Sequence, residues 1–388
     1  MRVLHWFPNY FHGGGVANAV TGLAHAQADQ GEDVAIAGVL DDTPPLYGEQ
    51  PTHPRVELLR WRPTTSVRAA GLTLRPPSTS ARATIRAWNP DVVHVHAEFA
   101  PDNLWAGFLF DVPIALSFHG ALHPEVFRKG KTVPKRLYVA LARQTLYRRV
   151  ARFVALCPAE AEHINRVLPG RVVDTIPLGP GRSVVDARRE PRPPCGPVRE
   201  PGGIRVVFVG RLDVYTKGLD LLVRAFGTAR HRVGGRLESL TLVGPDWRGG
   251  RHALEAQVEA AGLRGAVKFV GGVSASEACR FLQEADLYVQ LSRHDAFPLS
   301  VVDALVLGLP AVLSSSIGTT SYPEVARLPD VRVTAPESGA AAVAIEDLTA
   351  GFGALERARA HSPSSVDELF SWPRIAAAHT RAYRAAQA

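Results

Sequence analysis

The chain has 388 residues, 46% hydrophobic and 21% charged, the balance of an ordinary globular protein and not of a disordered or fibrous one. That length exceeds what one hydrophobic core usually serves, so two domains are expected, and no apolar run approaches the ~20 residues of a membrane span. The net charge of +7 invites nucleic acid, lipid or phosphorylated ligands, but 39 of the 44 basic residues are arginine, and only the placement of the cations can choose a partner.

In chain order, RVLHWF (2–7) reads as a strand, with no charged-then-apolar leader before it. HGGGVANAVTGLA (12–24) follows, three glycines opening a helical pattern. This is either a tight strand-to-helix turn or a place where amides and the helix dipole receive an anion. Further apolar runs fall at 33–39, 91–96, 113–118, 152–157 and 173–178. His96 and Glu98 stand at the end of one run and His119 and Gly120 at the end of another, placed to meet a ligand or to serve structurally. Residues 63–86 read as a mobile lid. Segment 127–152 reads as a basic amphipathic helix, whose polar face is either solvated or attracted to anionic lipid. Residues 180–203 are dense in Pro, Gly and Arg without a period, which marks a linker. Cys157, Cys195 and Cys279 are odd in number and scattered, which favours a reducing, cytoplasmic setting over a disulfide frame or metal cluster.

A second set of runs lies at 204–210, 240–244, 267–272, 286–292 and 310–316. Continuous apolar runs alternating with helical patterns predict parallel strands buried on both faces, and two sets predict two doubly wound α/β domains. Ligands in such sheets bind beyond the carboxyl ends of the strands. There Arg211 offers a planar fork and Lys217 a mobile point charge, a pair suited to a diphosphate. Asp295 and Asp303 bracket a helix start whose amides, at Phe297, Leu299 and Ser300, can hold phosphate oxygens, and the two carboxylates can accept sugar hydroxyls.

Taken together and in order, the glycine loop at 13–15, SFHG at 117–120, GRL…KGLD at 210–220, VKFVGGVSASE at 267–277, LSRHDAFPLSVVDALVLGLPAVLSS at 291–315 and FSWPRIAAAHTRAY at 370–383 resemble the retaining nucleotide-sugar glycosyltransferases of family 4. The resemblance implies the GT-B fold, two Rossmann-like domains facing across a cleft. Residues 1–180 would bind the acceptor, 181–203 would be the linker, 204–370 would bind the donor, and the helix at 371–388 would cross back to the first domain. It implies that Arg211 and Lys217, beside Gly210, hold the donor diphosphate and that Asp303 holds the ribose hydroxyls. Asp295 would lie near the donor sugar beside the loop Ala296, Phe297, Pro298, Leu299 and Ser300, with Gly271, Gly272 and Val273 by the base. His119 matches the histidine that contacts the transferred sugar, so His119, Arg211, Lys217 and Asp295 form the expected catalytic set. Gly14 and Gly15 would approach the diphosphate or the acceptor from the opposite wall. The acceptor is expected near His12, His96, Glu98, Phe99 and His123. The family usually carries glutamates where Asp295 and Asp303 stand, glycine at Pro298 and serine at Cys157.

The expected reaction is transfer, with retention, from a UDP-, GDP- or dTDP-sugar to a hydroxyl or amine of a natural product or envelope glycan. No Asp-x-Asp motif and no covalent nucleophile present themselves, so same-face attack without a metal or other cofactor is expected. The alternatives are a nucleotide-sugar-binding protein without turnover and another sugar-phosphate enzyme on this scaffold. Nucleic acid is not an expected partner, and membrane contact would be peripheral, through segment 127–152.

Overall fold

The computed structural model describes residues 1–40, 52–69, 72–96, 99–128, 132–189, 203–350 and 364–387. The chain divides into two compact units, Met1–Gly179 with Ser371–Ala388, and Pro180–Phe370.

The first unit is built on strands β1 (Arg2–Trp6), β2 (Asp33–Val39), β3 (Val56–Trp61), β6 (Val92–His96), β7 (Ile114–Ser117), β8 (Val150–Ala155) and β9 (Val173–Thr175), with a small hairpin of β4 (Val67–Ala69) and β5 (Leu72–Leu74) between β3 and β6. The large sheet is parallel, in the order β3-β2-β1-β6-β7-β8-β9. Every apolar run of the first half lies in it. Strand β3 was not expected: as an edge strand it is only half covered, so VELLRW mixes Glu57 and Arg60 with its apolar residues and lacks a continuous run. Helix α1 (Gly15–Asp29) follows β1 and lies against the C-terminal helix Trp372–Gln387. The indole of Trp372 rests on Gly22 and Gly179, where an added Cβ would approach it to 2.3 and 2.5 Å. The contact therefore admits nothing larger than glycine.

Within segment 63–86, expected as a mobile lid, Arg75 is tied down. Buried Arg75 ion-pairs with the fully buried Asp102 (Nε–Oδ2 2.9 Å) and donates to Asn9 Oδ1 at 2.5 Å. Breaking such a pair would leave an uncompensated buried charge. The basic segment contains helix α2 (Thr132–Gln144), which buries Tyr138, Val139 and Ala142, and helix α3 (Pro158–Val167) follows β8.

The second unit carries β10 (Ile204–Val209), β11 (Leu237–Val243), β12 (Val267–Gly271), β13 (Leu287–Gln290), β14 (Ala311–Ser314) and β15 (Val331–Thr334), parallel and in the order β12-β11-β10-β13-β14-β15. Strand β15 escaped the sequence reading for the same reason as β3: it is an edge strand with a half-exposed pattern. The expected linker begins instead with helix α4 (Arg182–Arg189). Its Val184 is buried, and the Ser183 carbonyl accepts a hydrogen bond from the Cys279 thiol at 3.7 Å. One buried valine among arginines is too weak a signal to read as a helix. Residues 190–202, including Cys195, lie outside the described residues. Helices α5 (Leu219–Val233), α6 (Ala275–Glu284) and α7 (Leu299–Val306) complete the parts that matter for the site.

In each sheet the strand order reverses once, between β1 and β6 and between β10 and β13. The crevice outside the carboxyl ends of strands at such a reversal is where open α/β sheets bind ligands.

Candidate functional site

In the second unit the loops after β10 and β13 meet at the reversal. The Lys217 ammonium ion-pairs with the Asp295 carboxylate, both side chains mostly covered. Gln290, fully buried at the end of β13, donates to Asp295 Oδ2 at 3.0 Å and accepts from the Tyr288 hydroxyl at 2.6 Å. Asp295 is thus aimed by a polar network anchored in the sheet. Gly218, which caps α5 directly after Lys217, has φ +64°, and a Cβ there would lie 1.9 Å from the Leu291 carbonyl oxygen. The two loops touch at their backbones, which only glycine allows. Arg293 fastens the same loops, bidentate to Asp220 at 2.7 Å to each oxygen and stacked over Tyr215 at 4.5 Å. That pairing, with Arg224 beside it, holds the Asp220 carboxyl below its ordinary range against the opposing effect of burial.

Arg211 follows Gly210 and remains 41% exposed, its guanidinium 4.5 Å above the Trp247 ring and 3.7 Å from Asp213. It is pre-oriented by the indole yet open to a ligand. Asp303, on the second turn of α7, accepts the Gly181 N–H at 2.7 Å, and burial pushes its carboxyl up to about 7. Phe297 packs edge-on against Phe370, Pro298 is the N-cap of α7, and the amides of Leu299 and Ser300 open its first turn, where N–H groups have no intrahelical acceptor. Ala296 sits in the same loop after β13. Gly271 ends β12 and Gly272 follows it, the Gly271 carbonyl accepting from Gly244, and Val273 is half-buried beside them.

In the first unit the reversal is lined by imidazoles. His5 on β1 pairs in register with His94 on β6, so His5, His94 and His96 share one face of the sheet. A hydrogen-bonded chain runs from Gln27 Oε1 to His5 Nε2 (2.7 Å), from His5 Nδ1 to His96 Nε2 (2.9 Å), and from His96 Nδ1 to His119 Nε2 (3.2 Å). His94 bridges Tyr383 and Ser117. Burial holds His5 and His119 down to about 4, His379 down to about 3, and His94 and His96 well below the usual imidazole range. All five are neutral near pH 7. With Gln27 Oε1 as acceptor, each Nε2 carries the proton and His119 Nδ1 is left as an acceptor. Among the described residues, His5, His94 and His96 are the one histidine or carboxylate group close enough to share a metal ion, but each of their nitrogens already has a hydrogen-bond partner.

His119 (φ +51°) is held at the end of β7 by its neighbour: Gly120 donates to Glu160 Oε1 at 2.5 Å while Leu156 donates to Oε2 at 2.6 Å. Glu160, buried on α3, clamps the loops after β7 and β8. Gly14, with φ +97°, is the N-cap of α1, and Gly15 opens the helix. His12 ends the short turn before it, and His123 lies edge-on to His163 at 4.8 Å. One acceptor expectation changes. His96 is buried with both nitrogens hydrogen-bonded, so it reaches a ligand only through His119. Phe99 belongs to an aromatic cluster with Phe127 and Tyr138. Glu98 lies outside the described residues. Sequence reasoning missed Gln27, Glu160, Gln290 and Arg293. Only Arg293 stood inside a quoted motif; the others are buried polar residues, and Gln27 and Glu160 reach partners 22 and 40 residues away in His5 and Gly120.

Cations and carboxylates gathered at the switch point of a Rossmann-like unit are the equipment of an enzyme that binds a phosphorylated, hydroxyl-rich ligand. The glycosyl transferase 4-like domain model matches residues 14–179, and the glycosyl transferases group 1 model matches residues 203–350. Glycogen synthase of Mycobacterium tuberculosis is 27% identical over 82% of this chain and 73% of its own length. The 2-deoxystreptamine N-acetyl-D-glucosaminyltransferase of Streptomyces fradiae is 27% identical over 71% of each. The GDP-mannose:cellobiosyl-diphosphopolyprenol alpha-mannosyltransferase of Komagataeibacter xylinus is 25% identical over 96% of this chain and 89% of its own. Among solved structures, sucrose-phosphate synthase from Thermosynechococcus elongatus superimposes with a TM-score of 0.71 at 18% identity, covering 99% of this chain and 98% of that one. Anabaena HepE, in complex with UDP and glucose, gives 0.69 at 16% identity, covering 99% and 100%. The chain belongs to the retaining nucleotide-sugar glycosyltransferases of family 4 and has the GT-B fold. It is a hexosyltransferase that takes its sugar from a nucleotide sugar.

Proposed function

We propose that the donor is a UDP-, GDP- or dTDP-hexose and the acceptor a hydroxyl or amine of a natural product or cell-envelope glycan, in the reducing interior of a bacterial cell. Arg211 and Lys217 hold the diphosphate, with the first-turn amides of Leu299 and Ser300 beside it. Asp303 takes the ribose hydroxyls, Gly271, Gly272 and Val273 lie by the base, and Asp295 orients Lys217 and meets the sugar. His119 presents Nδ1 to a hydroxyl of the transferred sugar. His12 and His123 border the acceptor, and Gly14 and Gly15 offer amides at the head of α1.

In this mechanism the bond from the anomeric carbon to the β-phosphate oxygen breaks. The bond to the acceptor forms on the same face, and the acceptor's proton passes to the departing phosphate. Arg211 and Lys217 stabilise the charge that develops there, a preorganised electrostatic role that takes the place of a metal ion.

The Lys217–Asp295 pair, set at the β10/β13 reversal by glycine contact and by Gln290, is the observation that most supports this reading. Thermal shift against a panel of UDP-, GDP- and dTDP-sugars identifies the donor. With that donor, Lys217→Ala lowers kcat/KM by roughly 10²–10³, and Arg211→Ala, at a more exposed position, lowers it less. Near-normal turnover in both variants overturns the assignment.

A further inference from the structure

Helix α2 has an outer face that the glycosyl-transfer chemistry does not use. Tyr138, Val139 and Ala142 turn into the core, while Val133, Leu137 and Leu141 are 67%, 65% and 53% exposed. Spaced i, i+4 and i+8, they form one ridge along the helix, with Ala140 exposed beside it. Arg136 and Arg143, seven residues apart, stand exposed on the adjoining flank, Arg143 also donating to the Val167 carbonyl. Arg148 extends the positive character past the end of the helix, Arg149 beside it being paired with Asp111, and no Asp or Glu occurs from 132 to 150. Scattered exposed aliphatics are ordinary on a protein surface, but a continuous ridge bordered by charge of one sign marks an interaction face.

We propose that this face docks on an anionic lipid bilayer, with the Val133–Leu137–Leu141 ridge entering the headgroup–acyl boundary and the arginines meeting lipid phosphates. A helix of about 20 Å, half of its circumference held by the core, lies in the plane of an interface and does not span it. The flank charge complements a negative surface. A second copy of the chain is a poorer occupant, because it would set arginine against arginine with no carboxylate on the helix to answer it. The ridge offers aliphatic side chains and no aromatic ring on which nucleic-acid bases could stack.

Co-sedimentation of the full chain tests this, using vesicles of equimolar phosphatidylcholine and phosphatidylglycerol against phosphatidylcholine alone, at low and high salt. The protein pellets with the mixed vesicles at low salt and is released by high salt. Leu137→Glu with Leu141→Glu lowers the partition coefficient by roughly tenfold or more. Arg136→Gln and Arg143→Gln each lower it by about fivefold. Because these positions are exposed, the variants keep the wild-type melting temperature, which separates lost docking from lost folding. Wild type remaining in the supernatant overturns the proposal. So does pelleting that Leu137→Glu with Leu141→Glu leaves unchanged, or a dimer by light scattering that this double variant dissolves. None of these outcomes depends on which nucleotide sugar the enzyme uses.

Discussion

At the strand reversal of the first unit the polar groups are neutral and buried, imidazoles bonded to one another and to Gln27, Tyr383 and Ser117. At the reversal of the second unit they are charged, Lys217, Arg293 and the more exposed Arg211 each set against an aspartate. The same sheet architecture thus carries two kinds of polar group at its reversal, charged in one unit and neutral in the other. In the proposed function the charged groups serve the diphosphate and the neutral ones present a lone pair or a proton to a hydroxyl. The difference follows from what lies over each sheet. The C-terminal helix packs on β7 and β8 and brings Tyr383 and His379 against His94, away from water, whereas the loops after β10 and β13 leave Arg211 41% exposed.

Acid should break the comparison most strongly. The imidazoles have folded pKa values below the 6.5 of the free side chain. Their contribution to stability is therefore full above pH 6.5 and is lost as the pH falls toward about 4, at up to about 1.4 kcal/mol per pH unit for each fully buried ring. Asp303 runs the other way. Its carboxyl is raised from 3.8 to about 7, so its contribution is full below about pH 4 and is lost as the pH rises through 7. Acidification from pH 7 to pH 5 destabilises the protein on balance, and Asp303→Asn makes the loss steeper. Urea unfolding at several pH values measures both, and a flat profile in that window would refute the buried neutral histidines.

The second unit is tested by Gly218→Ala, which sets a Cβ 1.9 Å from the Leu291 carbonyl at a positive φ. A loss of about 2 kcal/mol or more is expected, with donor affinity falling as Lys217 and Asp295 separate. Calorimetry and donor titration read the two effects.

A smaller effect sharpens the reading of the first unit. Gln27→Leu removes the acceptor at the far end of the imidazole chain, 22 residues from His5 in sequence. The Nε2–H tautomer of His119 is then no longer imposed, and donor KM rises a few-fold with the fold intact. Nitrogen-15 spectra of labelled histidines show one His119 tautomer in the wild type and a mixture in the variant. A single unchanged tautomer would mean that Gln27 plays only a packing part.

Much of this was legible in the residues. The interior parallel strands declared themselves as continuous apolar runs, because both of their faces are covered. The edge strands β3 and β15 did not, because one side of each is open and their patterns are mixed. Lys217 and Asp295 were each identifiable from their positions after strands, and their direct ion pair was not, since 78 residues separate them. Glu160 carries no local signal in the sequence, because what sets it apart is that its two oxygens hold Gly120 and Leu156.

By itself the sequence determined the α/β class, the two sets of strands and the residues offered at the strand ends, because apolar periodicity and strand-end placement are local properties. The net charge determined little: the arginines are spread over the surface, and only a few stand where a ligand or a lipid surface could meet them. The tertiary structure decided which cations are paired, which histidines are neutral and which face of α2 is left outside. Each of these depends on what lies against a side chain, and in this fold the neighbours come from far along the chain.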